Sequence, residues 1–374
     1  MKKNLLYALT AVAMLTGCAK SDVVDSEINK EGNLIGFSTY KNISRGNPVD
    51  DNSEFLTKGN TFGVTAFINT EGVTSPYMGI TTEGIEIISD GTKWTYANTS
   101  DQAYWPTKDE TLDFYAYAPY NHPSTTKTFD KANGLTLEYT VPAEEAKQVD
   151  LMYASALEQT KPTDKNSVTL PFKHALTQVH FKVGTKTTNL KVDIAANGIQ
   201  IHNLKNSGSL TMKSNQIDDA AWTLTGDATA KYTVNSDAVT GDYTDGTEAN
   251  PYTEIGNANN ALMLLPQEFV AGDGTAENTG AYLTISCKIY QVLADGTTKI
   301  YLHGDAEAFA PITVGISSAL PAEEGGEATQ IWQRNKKVTY NLLFGAGDGV
   351  LFPIEFATEV EEWQPADGGV IEPK

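Results

Sequence analysis

The sequence predicts an all-β protein of two β-sandwich domains, and three observations predict it. Apolar residues alternate with period two in short runs, as in Phe62, Val64, Ala66 and Ile68, and no helical period of any length is sustained. The composition is 40% hydrophobic and only 20% charged, with 31 glycines, which suits short strands joined by polar turns. At 374 residues the chain exceeds one typical domain and is long enough to bury a sizeable core.

At the N-terminus, Lys2 and Lys3 precede the apolar run Leu5 to Leu15. That run is too short to span a bilayer and fits the core of a signal peptide over residues 1–17. Leu15-Thr16-Gly17-Cys18 resembles a bacterial lipobox. In such a site the cysteine thiol is diacylated, the chain is cut before it, and the new amino group is acylated with a further chain such as palmitate. The competing reading is an ordinary secretory signal with an incidental cysteine. The chain has only one other cysteine, Cys287, on the apolar face of Leu283, Ile285 and Ile289, where a buried free thiol is expected. Cys18 is therefore the predicted lipidation site, which places the protein on a membrane without a transmembrane helix. Residues 18–32 are polar and acidic and read as a flexible tether. Lys20 and Asp22 resemble the surface-export signal of Bacteroidetes lipoproteins, giving an outer-membrane, cell-surface location.

The first sandwich is expected over residues 33–184. Ile35 and Phe37 share one face of a strand, and a polar stretch holding Arg45-Gly46-Asn47-Pro48 reads as an exposed loop. Ile85 to Ile88 and Lys93 to Tyr96 flank Asp90-Gly91, a strong hairpin signal. Near the midpoint, Val168, Leu170 and Phe172 are apolar on even positions, but Ala175, Thr177, Val179, Phe181 and Val183 continue on odd ones. Side chains alternate faces, so one unbroken strand cannot serve both halves, and a bulge or crossing is implied near Lys173 to Ala175.

The second sandwich is expected over residues 185–374. It carries short strands, a polar surface loop from Asn235 to Asn260, a hairpin across Asp295-Gly296, and two closing strands joined by Gly345-Ala-Gly347-Asp-Gly349.

Chemistry-bearing residues are sparse. The formal charge of -20 would repel phosphates, which excludes nucleic acid as a partner. His122, His174, His180, His202 and His303 show no metal-ligand spacing, and His174 reads as a structural residue at the crossing. The glycines of 345–349 lead into a strand, not a helix, so they are a turn and no phosphate site. Asp242, Asp245, Gly246 and Glu248 miss the spacing of a calcium loop, and an acidic solvated loop is the default. Glu361 and Glu362 point to opposite faces of a strand and cannot flank one bond, and no Gly-x-Ser-x-Gly elbow is present. No enzyme, metal or cofactor is implied. Trp94, Tyr96, Tyr104, Trp105, Tyr115 and Tyr117 offer an alternative function, a lipid-anchored surface protein that stacks these rings on glycans. Sandwich cores use the same residues.

Several short signatures together resemble the fimbrillin family, the lipoprotein-type pilus subunits of Bacteroidales. They are Tyr104-Trp105-Pro106, Phe114-Tyr-Ala116-Tyr-Ala-Pro119, Asp150-Leu-Met-Tyr153-Ala154, Phe172-Lys-His174-Ala175-Leu176, Leu264-Leu-Pro266-Gln267, Trp332 with Tyr340, and Val360-Glu-Glu-Trp363. The resemblance implies transthyretin-like sandwiches, export as a lipoprotein, and polymerisation into a cell-surface fimbria after an arginine-specific protease cuts near the N-terminus. Arg45 before Gly46 matches that cut site. The implied partners are other copies of the chain or related pilus subunits, the protease and the outer membrane. Cutting after Arg45 would free residues 33–45 as a removable strand, and a strand from the next subunit would refill the slots of Ile35 and Phe37. The donor candidate is 350–360, where Val350, Phe352, Ile354 and Phe356 open the longest alternation in the chain. The same residues equally suit a closing strand of the second domain.

Overall fold

The computed structural model describes residues 33–39, 52–70, 72–79, 83–106, 110–163, 167–212, 220–256, 261–319, 330–345 and 355–362, the last as backbone. In chain order the strands of the first part are β1 (Gly36–Thr39), β2 (Thr61–Thr70), β3 (Val73–Met78), β4 (Ile85–Ser89), β5 (Trp94–Tyr96), β6 (Thr111–Ala118), β7 (Thr125–Asp130), β8 (Gly134–Thr140) and β9 (Met152–Gln159). The crossing region holds β10 (Ser167–Leu170), β11 (Lys173–His174) and β12 (Thr177–Thr185). There follow β13 (Leu190–Leu204), β14 (Ser207–Met212), β15 (Ala221–Thr225), β16 (Ala230–Thr233), β17 (Val239–Gly241), β18 (Thr253–Ile255) and β19 (Leu262–Leu264). The last are β20 (Tyr282–Val292), β21 (Lys299–His303), β22 (Ala310–Gly315), β23 (Lys336–Phe344) and β24 (Glu355–Glu362).

The protein is all-β, as its alternation predicts, and the phase change resolves into three strands in three sheets. β10 pairs with β1, β11 joins the sheet ordered β11-β9-β6-β2-β4-β5, and β12 lies inside the sheet ordered β18-β12-β23-β24. Val168, Leu170 and Phe172 are buried in one core, and Ala175, Val179, Phe181 and Val183 in another. His174 sits at the crossing, 2% exposed, its Nδ1 2.8 Å from Oδ1 of Asp150, itself 5% exposed. The Ala175 carbonyl accepts from Trp222 Nε1 at 2.6 Å. These bonds satisfy polar groups that the change of layer would otherwise strand in the core.

β6 departs from the simple pattern of one buried face. Leu112, Phe114, Ala116 and Ala118 pack into the first core, while Tyr115 and Tyr117 on the opposite face join the second. Its sheet is thus covered on both sides, and small alanines let the layers approach. The four-stranded sheet β15-β14-β8-β7 draws on both halves of the chain, with Leu137 opposite Leu210 and Leu135 opposite Met212. The expected hairpins form. Oδ1 of Asp90 accepts from the Thr92 and Lys93 amides, and Oδ1 of Asp295 from those of Thr297 and Thr298. The expected polar loop after Asn235 is a correction: it carries β17, paired with β13, and β18, paired with β12. Backbone pairing has overridden the low apolar content of that stretch.

Candidate functional site: the groove under the first strand

β1 is short and its inward residues alternate with small outward ones, Gly36 and Ser38. It runs parallel to β10, with Phe37 opposite Val168 and Ser38 opposite Thr169. Just before β1, Leu34 bridges Tyr104, through Ile35 N–H donating to the Ala103 carbonyl and Trp105 N–H donating to the Asn33 carbonyl, each at 2.9 Å. The segment therefore lies in a groove with backbone partners on two sides.

Two side chains fill the groove. Ile35 is fully buried and Phe37 is 6% exposed, its ring 6.0 Å from those of Phe62, Tyr96 and Phe114. Each such burial is worth about 1.5–3 kcal/mol. Polar contacts fix the register. Trp94 Nε1 donates to Thr39 Oγ1 at 3.1 Å, and Tyr96 Oη donates to the Ile35 carbonyl at 2.8 Å. Burial raises the Tyr96 phenol above its ordinary range, so it stays a donor. On the outer face, the Ser38 and Thr169 hydroxyls lie 3.2 Å apart.

At the other end of the chain, β24 pairs antiparallel with β23 as an edge strand, Phe356 opposite Leu342 and Thr358 opposite Tyr340. Cys18, Arg45, Gly46, Val350, Phe352 and Ile354 lie outside the described residues, as does most of the 345–349 turn.

Residues 49–363 match the model of the fimbrillin-like family. The chain belongs to that family. Fimbrium subunit Fim1C of Phocaeicola vulgatus is 26% identical over 223 residues, which take in 52% of this chain and 57% of that one. The match thus spans little more than half the length of that curated relative. A crystal structure of a fimbrial protein from Bacteroides vulgatus superposes with a TM-score of 0.63 at 18% identity, covering 89% of this chain and 100% of that one. The fold is shared, and these relatives are fimbrial proteins, not enzymes.

The remaining candidate residues of this fimbrillin-like chain have structural places. Trp94, Trp105, Tyr115 and Tyr117 are buried in the two cores, Tyr96 packs against the first of them and Tyr104 is half-buried, so the rings proposed as a glycan platform do not share one exposed face. Asp242 pairs with Lys191, while Asp245 caps the Thr247 amide and hydroxyl. Among the described residues no cluster of His, Cys, Asp or Glu is arranged to hold a metal ion. Cys287 is fully buried, and desolvation pushes its thiol up to about 12, as expected of an inert core cysteine.

One functional signal lies in a simple count. Of 27 lysines and arginines, only Arg45 and Arg334 are arginine. Arg334 is fixed, its Nε donating to Tyr153 Oη at 2.6 Å and its Nη1 to the Ala220 carbonyl at 2.7 Å. The next residue, Asn335, has a φ of 61° and donates its N–H to the Leu176 carbonyl at 3.0 Å. That peptide bond cannot enter a protease cleft as an extended strand without unfolding its surroundings.

Proposed function

We propose that this protein is a structural subunit of a cell-surface fimbria, exported as an outer-membrane lipoprotein on Cys18 and assembled by strand exchange after cleavage between Arg45 and Gly46. The observation that carries this reading is the seat of β1: a short segment upstream of Arg45 fills an apolar groove whose backbone partners would be left open if it departed. An open groove and unpaired strand edge are costly, and a strand from another subunit satisfies both. One groove and one donor per subunit give head-to-tail, non-closing growth. The donor is the 350–360 region, which includes Val350, Phe352, Ile354 and Phe356 and overlaps β24, an edge strand that among the described residues pairs only with β23. In this reading the chain forms two sandwich domains, 33–184 and 185–374, with β12 reaching out of the first into the sheet β18-β12-β23-β24 of the second and the sheet β15-β14-β8-β7 as a seam built from both.

The partners are further copies or related pilus subunits, an arginine-specific protease and the outer membrane. The arginine count supports a single productive cut, because the second arginine is locked in the fold. Treating folded precursor with such a protease should give one cleavage, at Arg45, followed by a ladder of oligomers on mild-detergent gels. Arg45→Ala should fold normally, stay uncut and stay monomeric. If wild-type protein is cut at Arg45, loses residues 33–39 and still remains monomeric, the assembly reading fails.

A further inference from the structure

The sheet β15-β14-β8-β7 turns one side to a core, where Leu137, Tyr139, Leu210 and Met212 are buried. Its other side is chemically uniform. A row of opposed residues crosses all four strands, Thr126, Glu138, Ser209 and Thr223, and beside it runs a second row, Thr140, Ser207 and Thr225. A third row, Thr128, Thr136 and Thr211, ends in Ala221. Each of these outward positions bears a hydroxyl except Glu138 and Ala221, in a chain of which 20% is charged. β7 and β15 are edge strands, and edges are usually guarded by charge, yet their outward positions here are threonine and one alanine. Over the first two rows lies a hollow of about 330 Å³, lined by Thr126, Glu138, Ser209, Thr140, Ser207 and Thr225. We propose that this hollow binds an extended, uncharged polysaccharide laid across the strands, with Glu138 accepting from neighbouring sugar hydroxyls. The inference goes beyond the fimbrial reading and needs neither cleavage nor strand exchange.

The groups on this face select that class of ligand. Thr140 and Ser207 hydroxyls lie 3.0 Å apart and hold each other. Among the described residues, the hydroxyls of Thr126, Ser209 and Thr225 and the Glu138 carboxylate make no side-chain hydrogen bond to the protein, so they are open to a ligand. A hydroxyl donates and accepts, as a sugar hydroxyl does, and a carboxylate can accept from two at once. Other partners fit poorly. A protein interface wants an apolar centre with aromatic or arginine anchors, and this face offers Ala221 and threonine methyls. Nucleic acid and acidic polymers meet no cation in the hollow, only Glu138. Spacing adds direction. Adjacent strands lie about 4.8 Å apart, so a row across four strands is roughly 14 Å long and offers a polar group at about every sugar ring of an extended chain. The hollow is at the small end of ligand sites, which suits a few rings of a polymer.

Affinity electrophoresis of the uncut, full-length protein tests this, through gels holding xylan, glucomannan or polygalacturonate. Expected is retardation by xylan or glucomannan and none by polygalacturonate, whose carboxylates would meet Glu138. Thr126→Val with Thr225→Val keeps the side-chain shape and strand preference but removes one hydroxyl at each end of the hollow, and should weaken binding about tenfold. Thr126→Ser with Thr225→Ser keeps both hydroxyls and should bind as wild type. Glu138→Ala, at an exposed position, should weaken binding by a similar factor, while Thr313→Val, on β22, should change nothing. Unaltered denaturant midpoints show that the variants keep the fold. Retardation by neither neutral glycan overturns the proposal, as does a valine pair or Glu138→Ala that binds like wild type. Retardation by polygalacturonate alone overturns the ligand class. Each of these failures leaves the fimbrial reading standing, because assembly is read separately from the cut protein.

Discussion

Among the described residues two parallel strand pairings join segments far apart in the chain, and they are built to opposite ends. β12, nine residues long, pairs with β23 from Thr177 opposite Lys336 to Thr185 opposite Phe344, and is flanked on its other edge by β18 and β19. β1, four residues long, shares a two-stranded sheet with β10. The first is an interior strand whose removal would split a sheet. The second holds its place through two side-chain slots and a few hydrogen bonds. Under the proposed strand exchange the contrast has a purpose: a strand to be replaced would concentrate its stabilisation in side chains that another segment can duplicate, whereas a permanent one spreads it over a long ladder.

Truncating the aromatic residue in each pairing sharpens this contrast. Phe181, fully buried and stacked 5.8 Å from the Tyr340 ring, should cost about 3–5 kcal/mol as Phe181→Ala, in precursor and in cut protein alike. Phe37→Ala should cost about 3 kcal/mol in the precursor and nothing after cleavage, since the residue departs with its strand. Denaturant unfolding of both forms checks the pair. A loss below about 1 kcal/mol for Phe181→Ala would place that ring at the surface and the strand phase in error.

Acid should likewise separate the regions. Burial, with Lys337 and Lys182 adding repulsion, pushes His180 on β12 down to about 3. Between there and its ordinary value near 6.5, the unfolded chain binds a proton that the folded one does not, so stability falls as pH drops through that window. At pH 5 the loss is about 2 kcal/mol, and His180→Gln should flatten it. β1 carries no titratable side chain, so a flattening seen in the groove's own opening, followed by hydrogen exchange of the Phe37 and Thr39 amides, would contradict the separation. The smallest effect is expected from Thr39→Val, which removes the acceptor of Trp94 Nε1 and should destabilise the precursor by about 1 kcal/mol. The cut protein should be unaffected.

These differences also mark what the residues reveal before any coordinates. The all-β class, the crossing at Lys173 to Ala175 and the hairpins at Asp90 and Asp295 were legible, because each rests on period-two alternation or on turn chemistry within a few residues. Neither parallel pairing was, since a parallel partner leaves no local mark and here lies over a hundred residues away. That β6 is covered on both faces was not legible either, because alternation cannot report a second covering layer. Of the candidate site, Ile35 and Phe37 were visible as an apolar pair, but their groove was not. Its polar readers, Trp94 and Tyr96, look in sequence like any aromatic hairpin. The scarcity of arginine needs no structure at all, though only the bonds around Arg334 show why the second one is harmless.

The sheet shared between the two halves bears on how a filament of such subunits bends. All six residues of β14 are in register with β8, from Ser207 opposite Thr140 to Met212 opposite Leu135. To flex about the β12 crossing, the halves would have to strip that whole ladder and expose Leu137 and Leu210. The two halves are thus braced against flexing about the crossing, and in the fimbrial reading proposed above any curvature would fall at the joints between subunits rather than within one.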